Sequence, residues 1–287
     1  MSAAPSPTPG LTRFVEGRTP RERTLGAIHW MRARYVRAAF RHPELFVRAL
    51  YRPDFSDLLN RAEDLEFSTP VMARMRERSL NKVPSTFLCA GKELPYLYAD
   101  FNHAWGTERT VEVPIAWDRV QQTPPERVLE VGNVLAHYFE TQHSVVDKYE
   151  AGPRVINEDI VDYSPQAQYD LIVSISTVEH IGWDEFPRDR TKIPETLRLL
   201  RSWLTPRGEA WVTVPLGYNR WLDRSLADGS LKVPRTIFLR RLAFDNRWEE
   251  ASFDRVRGSR YGGPIDRVVE RPPFPRANAI AVLVLRP

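Results

Sequence analysis

Short apolar runs with β-branched character recur along the second half of the chain, each ending on a glycine or a polar residue. Arg127-Val-Leu-Glu-Val-Gly132 reads as a buried strand that stops at a tight turn, and Ser144-Val-Val-Asp147 as a second strand ending on an acid. Tyr169-Asp-Leu-Ile-Val-Ser-Ile-Ser176 and Glu209-Ala-Trp-Val-Thr-Val214 continue the series. A helix from about Pro194 to Leu204 separates those two and stops at the break Thr205-Pro206-Arg207-Gly208. Trp248 to Val256 and Ala279 to Leu285 are the last expected strands, joined by a Gly- and Pro-rich connection from Gly258 to Pro275. This alternation predicts an α/β fold with a Rossmann-like sheet over residues 124–287.

Before Pro124-Pro125 the period changes. Residues 21–42 predict a helix with Leu25, Ile28, Met31, Tyr35 and Ala39 on one side and Arg34, Arg37 and Arg41 on another. Helical signals return over residues 57–65. They return again from Thr69-Pro70, a cap followed by proline at the first helical position, to about Leu80. Between Ser85 and Phe101 an alternation about Ala90-Gly91 predicts a β-hairpin, and Pro95 keeps its second strand at an edge. Residues 1–20 hold four prolines, Gly10 and few apolar side chains, so disorder is expected there. The expected organisation is a tail (1–20), a basic helical extension (21–83), a hairpin segment (84–123) and the sheet domain (124–287).

Composition narrows the function. A chain of 287 residues, 42% apolar, can bury a sizeable core. Its single cysteine, Cys89, forms no internal disulfide and no zinc cluster. No run approaches the roughly 18 apolar residues of a membrane span, so cytoplasmic residence is expected. The net charge of +4 is unevenly placed, because residues 1–55 carry ten arginines against four acids, a local +6 that leaves −2 for the rest. The sheet domain is therefore not a polycation, and no nucleic-acid partner is expected. The basic helix fits an anionic membrane surface, or packing on the main domain or on a second copy of the chain.

Strand, glycine turn, short helix, strand and terminal acid is the opening of a nucleotide-binding unit whose acid accepts hydrogen bonds from ribose hydroxyls. Gly132 supplies the turn and Asp147 the acid. A nicotinamide oxidoreductase would use the same acid, but it should show Gly-x-Gly-x-x-Gly, and Val134 stands where the second glycine belongs. Valine disfavours a left-handed backbone, so the loop must take another path or present Asn133 as a hydrogen-bonding side chain. His180, with an unperturbed pKa near neutrality, is the candidate general base. His180 and Asp184 have a metal-binding spacing on a helix but no third ligand, so no metal is expected.

Taken in order, Glu130-Val-Gly-Asn-Val-Leu135, Asp147, Asp159, the strand ending at Ser176, Glu179-His180 and Leu204 to Pro215 resemble the class I S-adenosylmethionine-dependent methyltransferases over roughly residues 124 to 287. The likeness is greater to a bacterial subgroup whose first motif reads Glu-Val-Gly-Asn-Val-Leu. The resemblance implies a seven-stranded sheet with an antiparallel last strand, S-adenosylmethionine as cofactor, and methyl transfer to a small-molecule acceptor, expected to be a hydroxyl. It implies cofactor contacts at Glu130, Gly132, Asn133, Asp147, Asp159, Ile160 and Ser176, with Asp159 on the adenine amino group, Asp162 as its competitor, and Ile160 against the ring. His180 is the implied catalytic residue, although the Glu-His pair is widespread in the family and could instead hold its loop. Trp105 and Arg109, in a lid-like segment, and Tyr218 and Asn219 are the implied substrate contacts. The residues alone fit equally a capped surface helix with a structural Trp and a Glu-Arg ion pair in the first case and a turn built by Gly217 and Asn219 in the second. Lys148 is placed to touch the cofactor or only solvent, and solvent is expected. The Asn/Asp-Pro-Pro-aromatic run of the amino-methylating members does not follow the fourth strand, which argues against base methylation. The alternative to the enzyme is a non-catalytic scaffold on the same sheet, and Val134 keeps it open.

Overall fold

The computed structural model describes residues 70–261 and 276–287. The expected tail, the helices at 21–42 and 57–65 and most of the Gly258–Pro275 connection lie outside the described residues. Helix α1, Pro70–Leu80, begins at the proline that the sequence places at its first position. Strands β1, Thr86–Cys89, and β2, Lys92–Pro95, form the expected antiparallel hairpin. Its turn residues Ala90 and Gly91 both have positive φ, 55° and 80°, the backbone that a tight two-residue hairpin turn requires. Phe87, Cys89 and Leu94 are buried, and Pro95 pairs with Thr86 at the open end, where its missing N–H interrupts no ladder.

Helix α2, Arg109–Val120, is buried on nearly every side, which excludes the surface helix. Pro114 lies inside it and removes the bond that would reach the Thr110 carbonyl. That carbonyl instead accepts the Leu97 N–H at 2.9 Å, while the Thr110 hydroxyl donates to the Leu97 carbonyl at 2.8 Å. The helix is thus tied to the chain leaving the hairpin.

The main sheet is built from β3 (Val128–Val131), β4 (Ser144–Val146), β5 (Val155–Ile156), β6 (Tyr169–Ile175), β7 (Leu204–Pro215), β8 (Arg235–Arg241), β9 (Trp248–Ala251) and β10 (Ala279–Leu285). The order is β5-β4-β3-β6-β7-β10-β8-β9. The first five strands run parallel, and β10 is antiparallel to both β7 and β8. The strand direction therefore follows the expected mostly parallel sheet with an antiparallel last strand, but the count does not. The sheet has eight strands; Arg235–Arg241, absent from the sequence reading, is sixth in chain order and seventh across the sheet, and Trp248–Ala251 is an added edge. The run to Val256 is not all strand, because a short helix covers Phe253–Val256. Strand β7 also starts earlier than expected. The Thr205–Gly208 break lies within it, beside a register shift against β6, where Gly208 approaches the Tyr169 carbonyl so closely that a Cβ would stand 2.7 Å from it.

Side chains alternate across the sheet with the period of two that strands impose. Ala279, Ala281, Leu283 and Leu285 join Ala210, Val212 and Val214 on one face, packed against Ile193, Leu197 and Leu200 of helix α3, Lys192–Ser202, and Leu222 of helix α4, Arg220–Ala227. Ile280, Val282 and Val284 join Val173 and Ile175 on the other, packed against α2 and the hairpin. No helix among the described residues is long and apolar enough to cross a membrane.

Candidate functional site

In this sheet the chain winds outward from β3 in both directions, to β4 on one side and β6 on the other, so the switch-point crevice at which open α/β sheets bind ligands falls beyond the carboxyl ends of β3 and β6. Gly132 caps β3 with φ +88°, and a Cβ there would stand 2.1 Å from the Thr177 hydroxyl oxygen. Only glycine meets both conditions. Val134 takes φ −106° and ψ −45°, an ordinary right-handed conformation, and starts a 3-10 turn over Leu135–His137. The loop does take another path.

That path is held by acids. Glu130, fully buried, accepts from the Val134 and Leu135 N–H groups at 2.9 and 2.8 Å through one oxygen and meets His143 Nε2 at 2.8 Å through the other. The expected cofactor contact at Glu130 is corrected, because both its oxygens turn inward and shape the loop. Asp147 accepts the Asn133 N–H at 2.9 Å on Oδ2 and the Tyr149 and Glu150 N–H groups, each at 2.7 Å, on Oδ1. Asn133 donates its side-chain amide to Glu150 at 2.9 Å, and Glu150 also meets His137 Nε2 at 3.1 Å. The Asn133 Oδ1, shielded from water, has no hydrogen-bond partner.

Asp159 stands in a four-charge cluster. Its Oδ2 accepts from Lys148 and Lys192, each at 2.7 Å, and both lysines also reach Glu185. Partial burial alone would raise its pKa, but the two ammonium groups outweigh that and lower it. Lys148 is therefore engaged and not simply in solvent. Ile160 is 5% exposed and belongs to the core with Leu129, Val146 and Ile193, so the expected ring contact is corrected. Asp162 lies one helical turn from Asp159, with its N–H donating to the Asp159 carbonyl.

At the end of β6 the chemistry changes. Ser176 has a left-handed backbone, φ 42°, and its hydroxyl donates to both oxygens of Glu112 at 2.7 and 2.8 Å. Arg109 Nη1 donates to Glu112 at 3.2 Å and to the Ile175 carbonyl at 3.2 Å. Glu112 is fully buried; burial pushes its pKa up to about 7 against the pull of Arg109 and of the Ser176 hydroxyl. Glu108, buried one turn earlier, is shifted upward by the same cause and accepts the Ala277 N–H at 3.1 Å. Ser176 and Arg109, expected at cofactor and substrate, thus meet each other through Glu112.

His180 donates through Nδ1 to Asp184 Oδ2 at 2.5 Å and faces Glu179 Oε1 with Nε2 at 3.4 Å. Burial would lower its pKa, but the two carboxylates raise it to about 9. A proton held that tightly at neutral pH weighs against the expected base. The Tyr218 hydroxyl also donates to Asp184 Oδ2 at 2.5 Å, and its ring meets that of His180 edge-on. Asn219 is 1% exposed and caps α4 by accepting the Trp221 and Leu222 N–H groups at 3.1 Å, while its amide donates to the Glu179 carbonyl at 2.9 Å. Its expected substrate contact is corrected to a helix cap. Trp105, 3% exposed, lies in the interior beside Asn246, whose amide donates to the Trp105 carbonyl at 2.9 Å, so it too is structural. The sequence reading noted Glu179 beside His180, Asp184 as a possible metal partner and Glu112 in the segment before the first motif, but gave none of them a place at the site. An acid between Val111 and Val113 in an apolar helix is a signal that could have found Glu112, since a buried carboxylate requires partners.

No family model matches the chain, and no curated protein does. Among solved structures, the N-methyltransferase NodS from Bradyrhizobium japonicum WM9 in complex with S-adenosyl-L-homocysteine aligns at 13% identity with a TM-score of 0.34, covering 62% of this chain and 90% of that one. A TehB-like SAM-dependent methyltransferase from Corynebacterium glutamicum aligns at 14% identity with a TM-score of 0.35, covering 60% and 85%. The CcbJ methyltransferase from Streptomyces caelestis aligns at 13% identity with a TM-score of 0.27, covering 35% of this chain and 47% of that one, so the chain spans about half its length. These are backbone likenesses at low superposition scores, and no activity passes from them to this chain.

Proposed function

We propose that this chain transfers a methyl group from S-adenosylmethionine to a small-molecule acceptor. The observation that supports it is the set of spare acceptors at the carboxyl ends of β3 and β4. Asp147 has three N–H donors on a carboxylate that takes about four, so a position on Oδ2 remains for a ribose hydroxyl. Asn133 Oδ1 is an acceptor without a donor. An adenosyl group, which presents hydroxyl and amino donors, fits such a site. Asp147 and Asn133 would hold it, with Asp159 offering Oδ1, which the lysines leave to the Val161 N–H alone at 3.4 Å. When bound, the cofactor supplies a methyl group already activated on a sulfonium. The part left to the protein is alignment of the acceptor and removal of its proton. His180 is already protonated, so in this reading the hydroxyl proton falls to Glu179, whose Oε2 has no hydrogen-bond partner.

Calorimetric titration with S-adenosylhomocysteine tests the reading. Binding by the intact chain that weakens about tenfold or more in Asp147→Ala supports it. Absence of both heat and thermal shift at millimolar ligand refutes it. Glu179→Gln should keep the binding heat and lose about a hundredfold in turnover. One observation favours a second reading, a binding scaffold without catalysis: Glu130, Ser176 and Asn219 direct their side-chain bonds into the protein itself. The same titration separates the two.

A further inference from the structure

We infer that Glu112 is a positioning residue for the ligand loop: by holding the Ser176-Thr177 turn it fixes Gly132 and Asn133 across the crest between β3 and β6. The reading of methyl transfer enters only in the choice of ligand probe.

The chain of contacts starts at an unfavourable backbone. Ser176 is a non-glycine residue at φ 42°, a conformation that persists only when its surroundings impose it. Its hydroxyl is fixed on both oxygens of Glu112, 64 residues away in sequence, and its N–H on the Thr213 carbonyl at 2.9 Å. The preceding carbonyl, of Ile175, receives Arg109 Nη1 at 3.2 Å and the Thr177 hydroxyl at 3.1 Å, which fixes the Thr177 side chain as well. Thr177 then lies directly against Gly132, where an added Cβ would stand 2.1 Å from its hydroxyl oxygen and 2.8 Å from its methyl carbon. The next N–H, of Asn133, is the one that Asp147 accepts.

A charged group is a costly way to fill this space. Glu112 has no exposed surface and is faced by Glu108 and Arg109 of its own helix, Glu179 beyond β6, and Tyr138 after β3. An apolar side chain of the same volume would pack there at lower desolvation cost. What an apolar side chain cannot do is accept the Ser176 hydroxyl on two oxygens and so dictate where the turn sits.

Amide hydrogen exchange of the ligand-free chain tests the brace. The amides of Ser176, Thr177, Gly132 and Asn133 are followed in the parent chain, Glu112→Ala, Ser176→Ala and Glu112→Gln, with Leu283 and Val284 of β10 as references. Both alanine variants should raise exchange at all four amides by about tenfold and leave the references unchanged. Glu112→Gln, whose amide oxygen still accepts from Ser176, should stay within about threefold of the parent chain. Should Glu112→Ala not fold, Ser176→Ala carries the comparison. The inference is overturned if exchange rises at Ser176 and Thr177 but not at Gly132 and Asn133, if the references rise equally, or if the glutamine variant behaves as the alanine one. S-adenosylhomocysteine affinity should fall by the same factor as exchange rises. A parent chain that gives no heat refutes methyl transfer, and the exchange result still decides the brace.

Discussion

The two lips of the crevice are built on different principles. On the β3 and β4 side, acids bond to backbone N–H groups close by in sequence: Glu130 to residues four and five further on, Asp147 to residues two and three further on. On the β6 side, the bonds join side chains far apart: Glu112 to Ser176 over 64 residues, Tyr218 to Asp184 over 34 and Asn219 to Glu179 over 40. The first lip takes its shape mostly from its own few residues, and the Ser176-Thr177 turn sets its place at Gly132. The second exists only when three or four elements have come together, and there burial moves Glu112 to about 7 while neighbouring carboxylates move His180 to about 9. The lesson is that local geometry fixes where a ligand could lie, and long-range burial fixes which groups hold protons.

The largest effect should come from the point where the lips touch. Gly132→Ala forces a side chain into a left-handed backbone and into the Thr177 hydroxyl at once. We expect a loss of about 3 kcal/mol in urea unfolding and no detectable S-adenosylhomocysteine binding. A loss below about 1 kcal/mol would show that the two lips move independently.

This contrast also explains what the sequence could reveal. The hairpin, α1, β3, β4, β6 and β10 were legible because each carries its own period and its own stop. Strand β8 was not, because Arg241 ends an otherwise alternating run with a charge in a buried position. Arg241 is 1% exposed and donates to the Gly106 and Ala277 carbonyls at 2.9 Å and to Asn246 at 2.5 Å, partners that no nearby sequence announces. Burial lowers its pKa to about 10. At the site, Gly132 and Asp147 could be named from their strand ends. The inward turn of Glu130 depends on His143, 13 residues away, and the proton on His180 on how its sequence neighbours Glu179 and Asp184 turn their carboxylates toward the ring, an orientation that only the fold supplies.

A smaller effect separates the lips by pH. Glu112 has a folded-state pKa of about 7, above the ordinary carboxylate value near 4.3. A raised value means that the folded chain binds the proton more tightly than the unfolded chain. Its contribution is complete at low pH and is lost as pH rises through 7. Glu108 shifts the same way, whereas His180, also raised, is lost only on the way to pH 9. Asp159 and Asp170, both lowered, keep their contribution throughout this range and lose it only in more acidic solution. Between pH 5 and 8 the parent chain should therefore lose about 2 kcal/mol more stability than Glu112→Gln. Equal slopes would mean that Glu112 titrates as a free carboxylate.

The smallest effect belongs to the charge cluster beyond the β4 side. Lys148 keeps 37% of its side chain exposed, and Lys192 still pairs with Asp159 and Glu185 when Lys148 is gone. Lys148→Met should then change stability by about 0.5 kcal/mol or less, and by less still at high salt. Removing Lys192 as well should cost more than the two single losses together, because Asp159, with 11% of its side chain exposed, then retains a charge without a cation. The ligand response is the sharper measurement. If Asp159 takes an adenine amino group, Lys148→Met frees part of its oxygen and S-adenosylhomocysteine affinity rises or holds. A fall of about tenfold would mean that Lys148 itself touches the ligand, so that this lip presents a cation where the sequence placed an acid.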